Sequence, residues 1–281
     1  MFGAQVLVLC CMLWVLGYDL VTLFYYTKDI YMSFSNVAII TGASRGIGAA
    51  TAKLFAKKGY AVCINYISND VAAETVKNDI IKSGGKCISV KADVSVSGEV
   101  VKLFEAVDAE LGCVSVLVNN AGILKAQSRM EDISEDRFSD VLRTNVMSSF
   151  LCSKEAIKRM STKQGGHGGV IVNVSSGASK TGSPNEYIDY AASKGAIDSM
   201  TRGLALEVAA EGIRVNAVRP GLIHTDMHAS GGEPNRVERL SSKIPIQRGG
   251  QPEEVAEAIL WLASDKSSFS TGGFIDVSGG L

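Results

Sequence analysis

The sequence predicts an α/β fold, a Rossmann-type, doubly wound parallel sheet of seven strands in a single domain. From residue 32 onward, short β-branched runs alternate with longer amphipathic stretches, the pattern of a parallel sheet with helices on both faces. A glycine-rich turn at residues 41–48 separates the first strand from the first helix. No linker, change of composition or internal repeat interrupts residues 32–281, so we predict one domain there.

The predicted strands are short and rich in β-branched side chains, as buried strands are. They lie at residues 37–41, 61–66, 87–91, 114–119, 170–175, 214–219 and 274–277. Helices are predicted over residues 46–58, 71–83, 97–111, 138–160, 188–211 and 252–264. A glycine directly follows four of these helices, where helices commonly end, and Pro252 occupies the first turn of the last one.

Residues 1–31 form a leader that is far more apolar than the rest of the chain. As a helix at about 1.5 Å per residue, the stretch from residue 3 to residue 26 could cross hydrocarbon roughly 30 Å thick. Three features argue against a membrane anchor. Asp19 lies inside the stretch, Trp14 lies near its middle, and no Lys or Arg precedes it. Three interpretations stay open: a misassigned or non-native start preceding Met32, an anchor or interfacial helix, and an additional packed helix. A membrane partner is expected only if the leader is retained.

Charge and cysteine content exclude several function classes. Lys plus Arg number 28 and Asp plus Glu 29, a formal net charge of −1, so no broad positive surface for nucleic acid is expected. The 6 cysteines form no C-x-x-C pair, which disfavours a disulfide framework or a zinc site. His224 and His228 have i, i+4 spacing, but two histidines in a loop are weak evidence for a metal. We expect a cytoplasmic protein with no metal and no nucleic-acid partner.

The glycine-rich turn predicts a dinucleotide site. Gly42, Gly46 and Gly48 allow the backbone to turn tightly and to approach a pyrophosphate, and the helix that follows offers free N–H groups and a positive dipole end. Three glycines alone are weak evidence. Their place between the first strand and the first helix of a βαβ unit makes the dinucleotide interpretation the favoured one over a simple tight turn.

The end of the second strand indicates which dinucleotide binds. NAD sites usually place a carboxylate there for the ribose 2′-hydroxyl, whereas this strand ends in Asn65 and Tyr66. Asp70 lies too far along and is expected to begin the next helix. Arg45 could donate to a 2′-phosphate, or it could be a solvated surface residue. We expect NADP to be preferred, with NAD possible.

Tyr190 and Lys194 are spaced i, i+4, which places them on one face of a helix. A phenol with a pKa of about 10 is a poor base at neutral pH, and a nearby ammonium favours its ionised form. The strand at 170–175 runs into Ser175 and Ser176, at the edge of the sheet where doubly wound folds bind ligands. These side chains together predict an acid/base site.

Five ordered motifs resemble the short-chain dehydrogenase/reductase family, over essentially all of residues 32–281. They are residues 41–48, Asn119-Asn120-Ala121-Gly122, Ser175-Ser176, Tyr190-x-x-x-Lys194 and Pro220-Gly221. The branch that looks most similar is glucose-dehydrogenase-like or 3-oxoacyl-carrier-protein-reductase-like. The resemblance implies an NAD(P)-binding oxidoreductase domain at residues 32–281, with catalysis by Ser176, Tyr190, Lys194 and Asn145.

Each of these four residues has an implied role. Tyr190 exchanges a proton with the substrate oxygen, and Ser176 hydrogen-bonds the substrate carbonyl. Lys194 holds the nicotinamide ribose and lowers the tyrosine pKa. Asn145 supports a path for water and protons that starts at Lys194. Ser176 and Tyr190 are 14 positions apart, one more than is usual in the family. This predicts a one-residue bulge within residues 182–189 and keeps Ser175 as a fallback for Ser176.

The cofactor-binding residues implied by the resemblance follow one cleft. They are Gly42, Ser44, Arg45, Gly46, Ile47, Gly48, Asn65, Tyr66, Asp93, Val94, Asn119, Ala121, Gly122, Tyr190, Lys194, Pro220, Gly221 and Thr225. Relatives that share the Asn-Tyr strand end often continue with Arg, whereas Ile67 stands here. Arg45 therefore carries more of the expected NADP preference.

The favoured function is an NADP-preferring oxidoreductase that interconverts a carbonyl and an alcohol on a small-molecule substrate. One alternative is a sugar (glucose) 1-dehydrogenase that uses NAD or NADP. An alternative of another class is a non-catalytic dinucleotide-sensing module, which would need no acid/base residues.

Two further regions bear on substrate and assembly. Residues 222–250 form a long segment, with a short helix at 237–242, that is expected to close over the substrate. The helices at 138–160 and 188–211 carry small side chains, Gly195, Ala196, Gly203 and Ala205, that would let another helix approach closely. By resemblance we expect a homotetramer or homodimer built on these helices, although both must also pack on their own sheet.

Overall fold

A computed structural model describes residues 36–281. The predictions for the leader at residues 1–31, and for a start at Met32, lie outside the described residues. The strands are β1 (Val37–Ile40), β2 (Ala61–Tyr66), β3 (Cys87–Lys91), β4 (Val116–Asn119), β5 (Gly169–Val174), β6 (Ile213–Pro220) and β7 (Phe274–Val277). The α-helices are α1 (Gly46–Lys57), α2 (Asp70–Lys82), α3 (Ser97–Glu110), α4 (Glu135–Leu142), α5 (Ser148–Met160), α6 (Ala178–Thr181), α7 (Ile188–Val208), α8 (Met227–Ser230), α9 (Arg236–Leu240) and α10 (Pro252–Ala263).

The strands form one 7-stranded parallel sheet with the order β3-β2-β1-β4-β5-β6-β7. Ile39 of β1 lies opposite Cys63 on β2 and Leu117 on β4. The direction of winding reverses between β1 and β4, and the carboxyl ends of these strands therefore border the crevice in which such sheets bind ligands. The predicted fold class is confirmed.

Both faces of the sheet are covered, which explains why the strands are apolar throughout. Val37 and Ile39 of β1 pack into one core cluster, while Ala38 and Ile40 pack into the other, and all four are 0% exposed. Fully burying a side chain of the size of Ile39 contributes roughly 1.5–3 kcal/mol. The helices α3, α5 and α7 supply the first cluster, and α1, α2 and α10 supply the second.

The predicted helix at 138–160 differs from the structure at its start and in its middle. It begins earlier, at α4, where the Ser134 hydroxyl accepts a hydrogen bond from the N–H of Arg137 at 3.2 Å. Residues Arg143–Met147 then form a π-helical turn before α5 continues to Met160. The expectation of one regular α-helix was wrong here, because a π turn is a rare, single-turn feature inside an α-helix.

Other predicted elements agree with the observed ones to within one to three residues, and the α7 helix is followed by a 3-10 turn at Ala209–Glu211. Within the described residues, no helix combines the length and the apolar character that a membrane crossing requires. No cluster of three or more His, Cys, Asp or Glu side chains that could bind a metal occurs in residues 36–281.

Candidate active site

A cavity of about 410 Å³ opens at the carboxyl ends of the central strands. Its walls come from distant parts of the chain, since Ile47 follows β1, Asn120 follows β4 and Ser176 follows β5. Tyr190 and Lys194 of α7 line the same cavity. The fold therefore brings the predicted catalytic pair and the glycine-rich turn to one place.

Two asparagine side chains hold the glycine-rich turn. Gly42 has a φ of +61°, and its N–H donates to Asn65 Oδ1 at 3.3 Å. Asn120 Nδ2 donates to the backbone oxygens of Thr41 at 2.8 Å and Gly42 at 3.1 Å. A Cβ at Gly48 would lie 2.6 Å from Asn120 Nδ2 and 2.7 Å from the Gly42 oxygen. The turn and the start of α1 therefore pack too closely to admit a side chain at Gly48.

The start of α1 suits an anionic ligand. The N–H of Ala49 donates to the Arg45 oxygen at 3.2 Å, and the N–H groups of residues 46–48 precede this bond at the helix N-terminus. The first turn contains no acidic residue, and the Arg45 side chain is exposed and does not cap the helix. This donor set, without a carboxylate, fits the pyrophosphate of a dinucleotide.

The end of β2 is built differently from the prediction. Asn65 is 1% exposed, and its Nδ2 donates to the Ala92 oxygen at 2.9 Å, so this side chain supports the glycine turn rather than facing a ligand. The Tyr66 hydroxyl donates to Asp70 Oδ1 at 2.9 Å, and Lys91 Nζ lies 3.2 Å from the same carboxylate. Asp70 begins α2, as predicted, and its carboxylate is already paired.

Three other predicted cofactor residues have structural roles through their side chains. Asn119 is 3% exposed, and its Nδ2 donates to Asn173 Oδ1 at 2.9 Å, in the core between β4 and β5. Val94 packs in the same core. Asp93 Oδ1 accepts from the Ser95 N–H at 2.9 Å. Contact of Asn119 or Val94 with a cofactor is thus left to their backbone atoms, and the side chain of Asn119 does not reach the cleft.

Tyr190 lies in the first turn of α7, with its phenol beside Ser176. Burial raises the pKa of Tyr190 to about 12, and a hydrogen bond with Ser176 acts in the opposite direction. The Ser176 hydroxyl accepts from the Ala178 N–H at 3.1 Å, which leaves its proton for the cavity. The Ser175 hydroxyl donates to Asp198 Oδ1 at 2.6 Å instead, so the geometry favours Ser176 over the fallback Ser175.

Lys194 is buried beneath the tyrosine. Its Nζ donates to the Val174 oxygen at 2.7 Å and lies 5.5 Å from the centre of the Tyr190 ring. Burial lowers the pKa of Lys194 to about 8. The expected lowering of the tyrosine pKa is not found in the chain by itself, because burial of the phenol dominates and the ammonium is directed to a carbonyl.

Asn145 occupies the π-helical turn and is fully buried. Its Oδ1 accepts from the Ile123 N–H at 2.7 Å, and its Nδ2 donates to Ser193 Oγ at 3.0 Å. A Cβ at Gly122 would lie 3.3 Å from Asn145 Oδ1 and 3.7 Å from Lys194 Nζ. Gly122 therefore lies between the Asn145 amide and the Lys194 ammonium, and it leaves room for little more than a hydrogen there.

The segment before α7 holds features that the sequence did not reveal. Ser183 and Asn185 have φ values of 43° and 62°, at the place where one extra residue is predicted. Arg137 Nε donates to Asp189 Oδ2 at 2.7 Å, and Asp189 Oδ1 accepts from the Tyr190 N–H at 2.9 Å. An Asp in the first turn of a helix is favoured by the dipole alone. The buried pairing with Arg137 therefore had no local signal.

Ion pairs also hold the segment over the cavity, a segment that lies within residues 222–250. Arg236, at the start of α9, pairs with Glu186 and with Glu233, the latter at 2.9 Å, and lies 5.1 Å from the Tyr187 ring centre. His228 Nε2 makes a 2.9 Å hydrogen bond with the Ile223 oxygen. The helix predicted at 237–242 is found one residue earlier, as α9. Pro220, Gly221 and Thr225, which are predicted to contact the cofactor, line the cavity beside this segment.

Known proteins match this chain over nearly all the described residues. A family model described as enoyl-(acyl carrier protein) reductase matches residues 42–281. The uncharacterized oxidoreductase YgfF of Escherichia coli (strain K12) is 59% identical over 244 residues, covering 87% of this chain and 99% of that protein. The 3-oxoacyl-[acyl-carrier-protein] reductase FabG of Staphylococcus aureus (strain Mu50 / ATCC 700699) is 36% identical over 250 residues, covering 89% of this chain and 99% of that protein. A crystal structure of a short-chain type dehydrogenase/reductase from Mycobacterium marinum has a TM-score of 0.82 at 34% identity, covering 87% of this chain and 94% of that one.

Proposed function

Since the chain belongs to the short-chain dehydrogenase/reductase family and is an NAD(P)-dependent oxidoreductase, we propose that it interconverts a carbonyl and an alcohol with NADP as its preferred cofactor. The observation that carries the proposal is the convergence of Ser176, Tyr190 and Lys194 on one cavity beside the glycine-rich turn. A purely binding module would not need these three groups together.

In the proposed reaction the bound cofactor supplies or accepts the hydride. Tyr190, with a pKa of about 12, is a neutral phenol at pH 7 and gives its proton to the oxygen of a carbonyl that is being reduced. Ser176 donates a hydrogen bond to the same oxygen. Lys194 is largely protonated at pH 7 and stabilises the phenolate that remains. In the oxidation direction the same groups act in reverse.

Replacing Tyr190 by Phe tests the reaction. We expect turnover to fall by about 10²–10⁴-fold, the contribution of a positioned general acid or base, with cofactor binding retained. Tyr187→Phe is a matched control, because Tyr187 lines the same cavity and its hydroxyl makes only a 3.4 Å contact with the Gly231 oxygen. Unchanged turnover in Tyr190→Phe would refute the proposed role of Tyr190, whereas a wild-type protein that binds the cofactor without any turnover would favour the dinucleotide-sensing module.

Two observations support the preference for NADP. No carboxylate stands at the end of β2, and Asp70, the nearest one along the chain, is paired with Lys91. Arg45 is exposed beside the glycine-rich turn. A guanidinium at this place provides charge-assisted donors for a 2′-phosphate.

The variant Arg45→Ala is expected to raise the KM for NADPH by about 10-fold, the loss of one charge-assisted hydrogen bond, and to leave the KM for NADH nearly unchanged. Lys58→Ala, at the opposite end of the same helix, is the control for a general loss of positive charge. Equal effects on both cofactors, or activity with NADH alone, would remove the NADP preference.

The substrate class is open to a direct screen. The cavity wall combines apolar side chains, including Leu124, Met227 and Leu240, with the polar pair of Ser176 and Tyr190. We expect the activity of the protein with sugars, acetoacetyl thioesters and diketones to distinguish a sugar dehydrogenase from a 3-oxoacyl reductase. Each compound is tested with NADPH and with NADH. The name of the Staphylococcus aureus relative supports including the thioester.

A homotetramer or homodimer is proposed from exposed apolar side chains on the helices predicted to form the interface. Phe150 is 50% exposed and Leu206 is 84% exposed, and a Cβ at Gly195 or Gly203 would meet nothing within 4 Å. Ala205 instead packs in the core, so it does not contribute to this face.

Analytical ultracentrifugation of Phe150→Glu tests the assembly. The variant is expected to sediment as a smaller species than the wild-type protein, because a carboxylate buried at an interface without a partner is costly. Val71→Glu is the control, since Val71 is 78% exposed on α2. A monomeric wild-type protein would contradict the proposed assembly.

A further inference from the structure

One turn after Lys194, the α7 helix carries a carboxylate that is tied to two strand ends. Asp198 Oδ1 accepts from Ser175 Oγ at 2.6 Å, directly after β5. Asp198 Oδ2 accepts from Arg219 of β6, at 2.8 Å from Nη2 and 3.0 Å from Nε. The side chains of Asp198 and Arg219 are only 16% and 15% exposed, so this is a largely buried ion pair in which both carboxylate oxygens have a donor.

Arg219 is itself held by the last strand. Its guanidinium carbon lies 3.8 Å from the centre of the Phe274 ring, and its Nη1 lies 3.7 Å from Asp276 Oδ1. Asp276 pairs with Lys180 of α6 at 3.0 Å. The ion pair therefore joins α7 to the ends of β5, β6 and β7, which form one wall of the cavity.

The residues at the end of β5 contact Lys194 at both its backbone and its ammonium group. The Ser175 hydroxyl that bonds Asp198 also lies 3.3 Å from the backbone oxygen of Lys194. The Nζ of Lys194 donates to the backbone oxygen of Val174, the residue before Ser175. We propose that Asp198 is a positioning residue for Lys194, because it holds through Ser175 and Arg219 the helical turn that carries the ammonium. The inference rests on the proposed function, in which Lys194 acts beside Tyr190.

The charges around the lysine give Asp198 a second effect. The ionisable groups near Lys194 are Tyr190 and Asp198 on its own helix, Arg219 on β6, Asp276 on β7 and Lys180 on α6. Burial lowers the pKa of Lys194, and the Asp198 carboxylate raises it in part. Without that carboxylate the Arg219 charge would lose its main partner. The pKa of Lys194 would then fall further, and less of the lysine would be protonated at pH 7.5.

The experiment measures the protonation of Lys194 directly. In protein labelled with ¹³C at lysine Cε, the Lys194 resonance is assigned by its loss in Lys194→Met and is titrated with pH. Asp198→Asn keeps an acceptor for Ser175 but removes the charge, and it is expected to lower the Lys194 midpoint by about 1 pH unit. Asp198→Glu retains the carboxylate and is expected to restore most of the shift.

A second ion pair in the chain provides a matched control. Arg159 Nε donates to Asp108 Oδ2 at 2.7 Å, and its guanidinium lies 5.0 Å from the Phe104 ring centre. Asp108→Asn therefore removes the same chemical group from an Arg–Asp–Phe cluster on α3 and α5, in which Arg159 also pairs with Glu155 at 2.9 Å. It is expected to leave the Lys194 midpoint unchanged.

Kinetics provide the second measurement. For Asp198→Asn, kcat at pH 7.5 is expected to fall by about 3-fold with an unchanged KM for the carbonyl substrate, because a midpoint lowered from about 8 to about 7 leaves roughly a quarter of Lys194 protonated instead of about three quarters. The alkaline limb of the pH profile is expected to shift to lower pH together with the titration midpoint. A folded Asp198→Asn protein whose Lys194 midpoint equals that of the wild-type protein would overturn the proposal.

Two provisions keep the result interpretable. If Asp198→Asn does not fold, Arg219→Gln tests the same link with opposite sign, because removing a positive charge is expected to raise the Lys194 midpoint. An unmoved midpoint in that variant would also overturn the proposal. The titration needs no turnover, so a protein without reductase activity refutes the proposed function while the midpoint still decides the role of Asp198.

Discussion

The two sides of the cleft are held together by different interactions. On the cofactor side, the neutral amides of Asn65 and Asn120 bind backbone atoms of the glycine-rich turn. On the substrate side, ion pairs hold the elements in place, with Arg137 on Asp189, Arg236 on Glu186 and Glu233, and Arg219 on Asp198. One side is therefore held in a fixed shape by neutral hydrogen bonds, and the shape of the other depends on charge.

This difference has a physical basis in what each side must do. A pyrophosphate is bound by backbone N–H groups, and their directions are independent of pH if neutral side chains hold the turn. Ion pairs weaken when one partner is protonated, removed or screened by salt, most of all where they are partly exposed. The segment over the cavity can therefore be loosened without disturbing the glycine-rich turn. The following substitutions are expected to affect either cofactor affinity or substrate KM, but not both.

The largest effect is expected from Gly48→Ala on the cofactor side. The new Cβ would lie 2.6 Å from Asn120 Nδ2, 2.7 Å from the Gly42 oxygen and 2.8 Å from Ala43 Cα. Overpacking of this kind costs about 1–3 kcal/mol in the free energy of unfolding. Because the turn itself must shift, we expect cofactor affinity to fall by about 100-fold or more, a factor of ten for every 1.4 kcal/mol. Urea unfolding and the quenching of intrinsic fluorescence by NADPH measure the two quantities.

Gly98→Ala is the control for the general effect of a methyl group. Gly98 lies in α3, and a Cβ there would meet nothing within 4 Å. Replacing a helical glycine by alanine stabilises by about 0.5–1 kcal/mol, so this variant is expected to be slightly more stable with unchanged cofactor affinity. Normal NADPH binding by Gly48→Ala would show that the turn is not as rigid as its contacts indicate.

The next effect in size is expected from Arg236→Met on the substrate side. It removes the common partner of Glu186 and Glu233, whose side chains are 31% and 21% exposed, and leaves Glu233, among the described residues, paired with Arg239 only. We expect the KM for the carbonyl substrate to rise by about 10-fold, as for the loss of a charge-assisted interaction. Cofactor affinity should stay within about 2-fold, since no amide of the glycine turn is touched.

Arg248→Met is the matched control for loss of an arginine ion pair. Arg248 pairs with Glu254 at 2.7 Å, with side chains 55% and 41% exposed, away from the cavity. An exposed pair contributes about 0–1 kcal/mol, so both KM values should be nearly unchanged. If Arg236→Met raised the KM for the cofactor as much as for the substrate, the two sides of the cleft would not be independent.

The cofactor side was largely predictable from sequence, because its signal is local. The glycine spacing, the strand before it and the helix after it lie within residues 37–57, and backbone geometry alone relates them to a phosphate. The same reasoning did not reveal what the Asn65 and Asn119 side chains bond, since an asparagine beside a cofactor turn has the same sequence pattern whether it binds ligand or supports the turn. Only the hydrogen bonds to Ala92 and Asn173 distinguish these roles.

The substrate side was predictable only in part, because its contacts are distant in sequence. Arg137 and Asp189 are 52 positions apart, and Arg236 and Glu186 are 50 apart, so no periodicity or spacing relates them. The π-helical turn around Asn145 was also missed, since such turns are rare and only one turn long inside an α-helix. The i, i+4 spacing of Tyr190 and Lys194 places them on one face of a helix, and the pair gained weight from the serines at the end of the strand at 170–175 and from the other ordered motifs.

The smallest effect is expected from acid, through the Glu233 ion pairs on the substrate side. A hydrogen bond from Arg239, and then one from Arg236, lowers the pKa of Glu233 to about 2. The folded-state pKa is thus below that of the unfolded chain, so Glu233 stabilises the fold fully above about pH 4.5 and loses this contribution as pH falls toward 2. The Tm difference between the wild-type protein and Glu233→Gln is therefore expected to be largest above pH 5 and to shrink progressively below pH 4.5.

Glu254→Gln removes another carboxyl whose pKa is about 2, bonded to Arg248 outside the cavity. It should show the same proton linkage in Tm without any change in substrate KM, whereas Glu233→Gln should raise that KM by a few-fold at pH 7. A Tm difference that stays constant from pH 6 to pH 3 would mean that the Glu233 ion pairs do not stabilise the segment over the cavity.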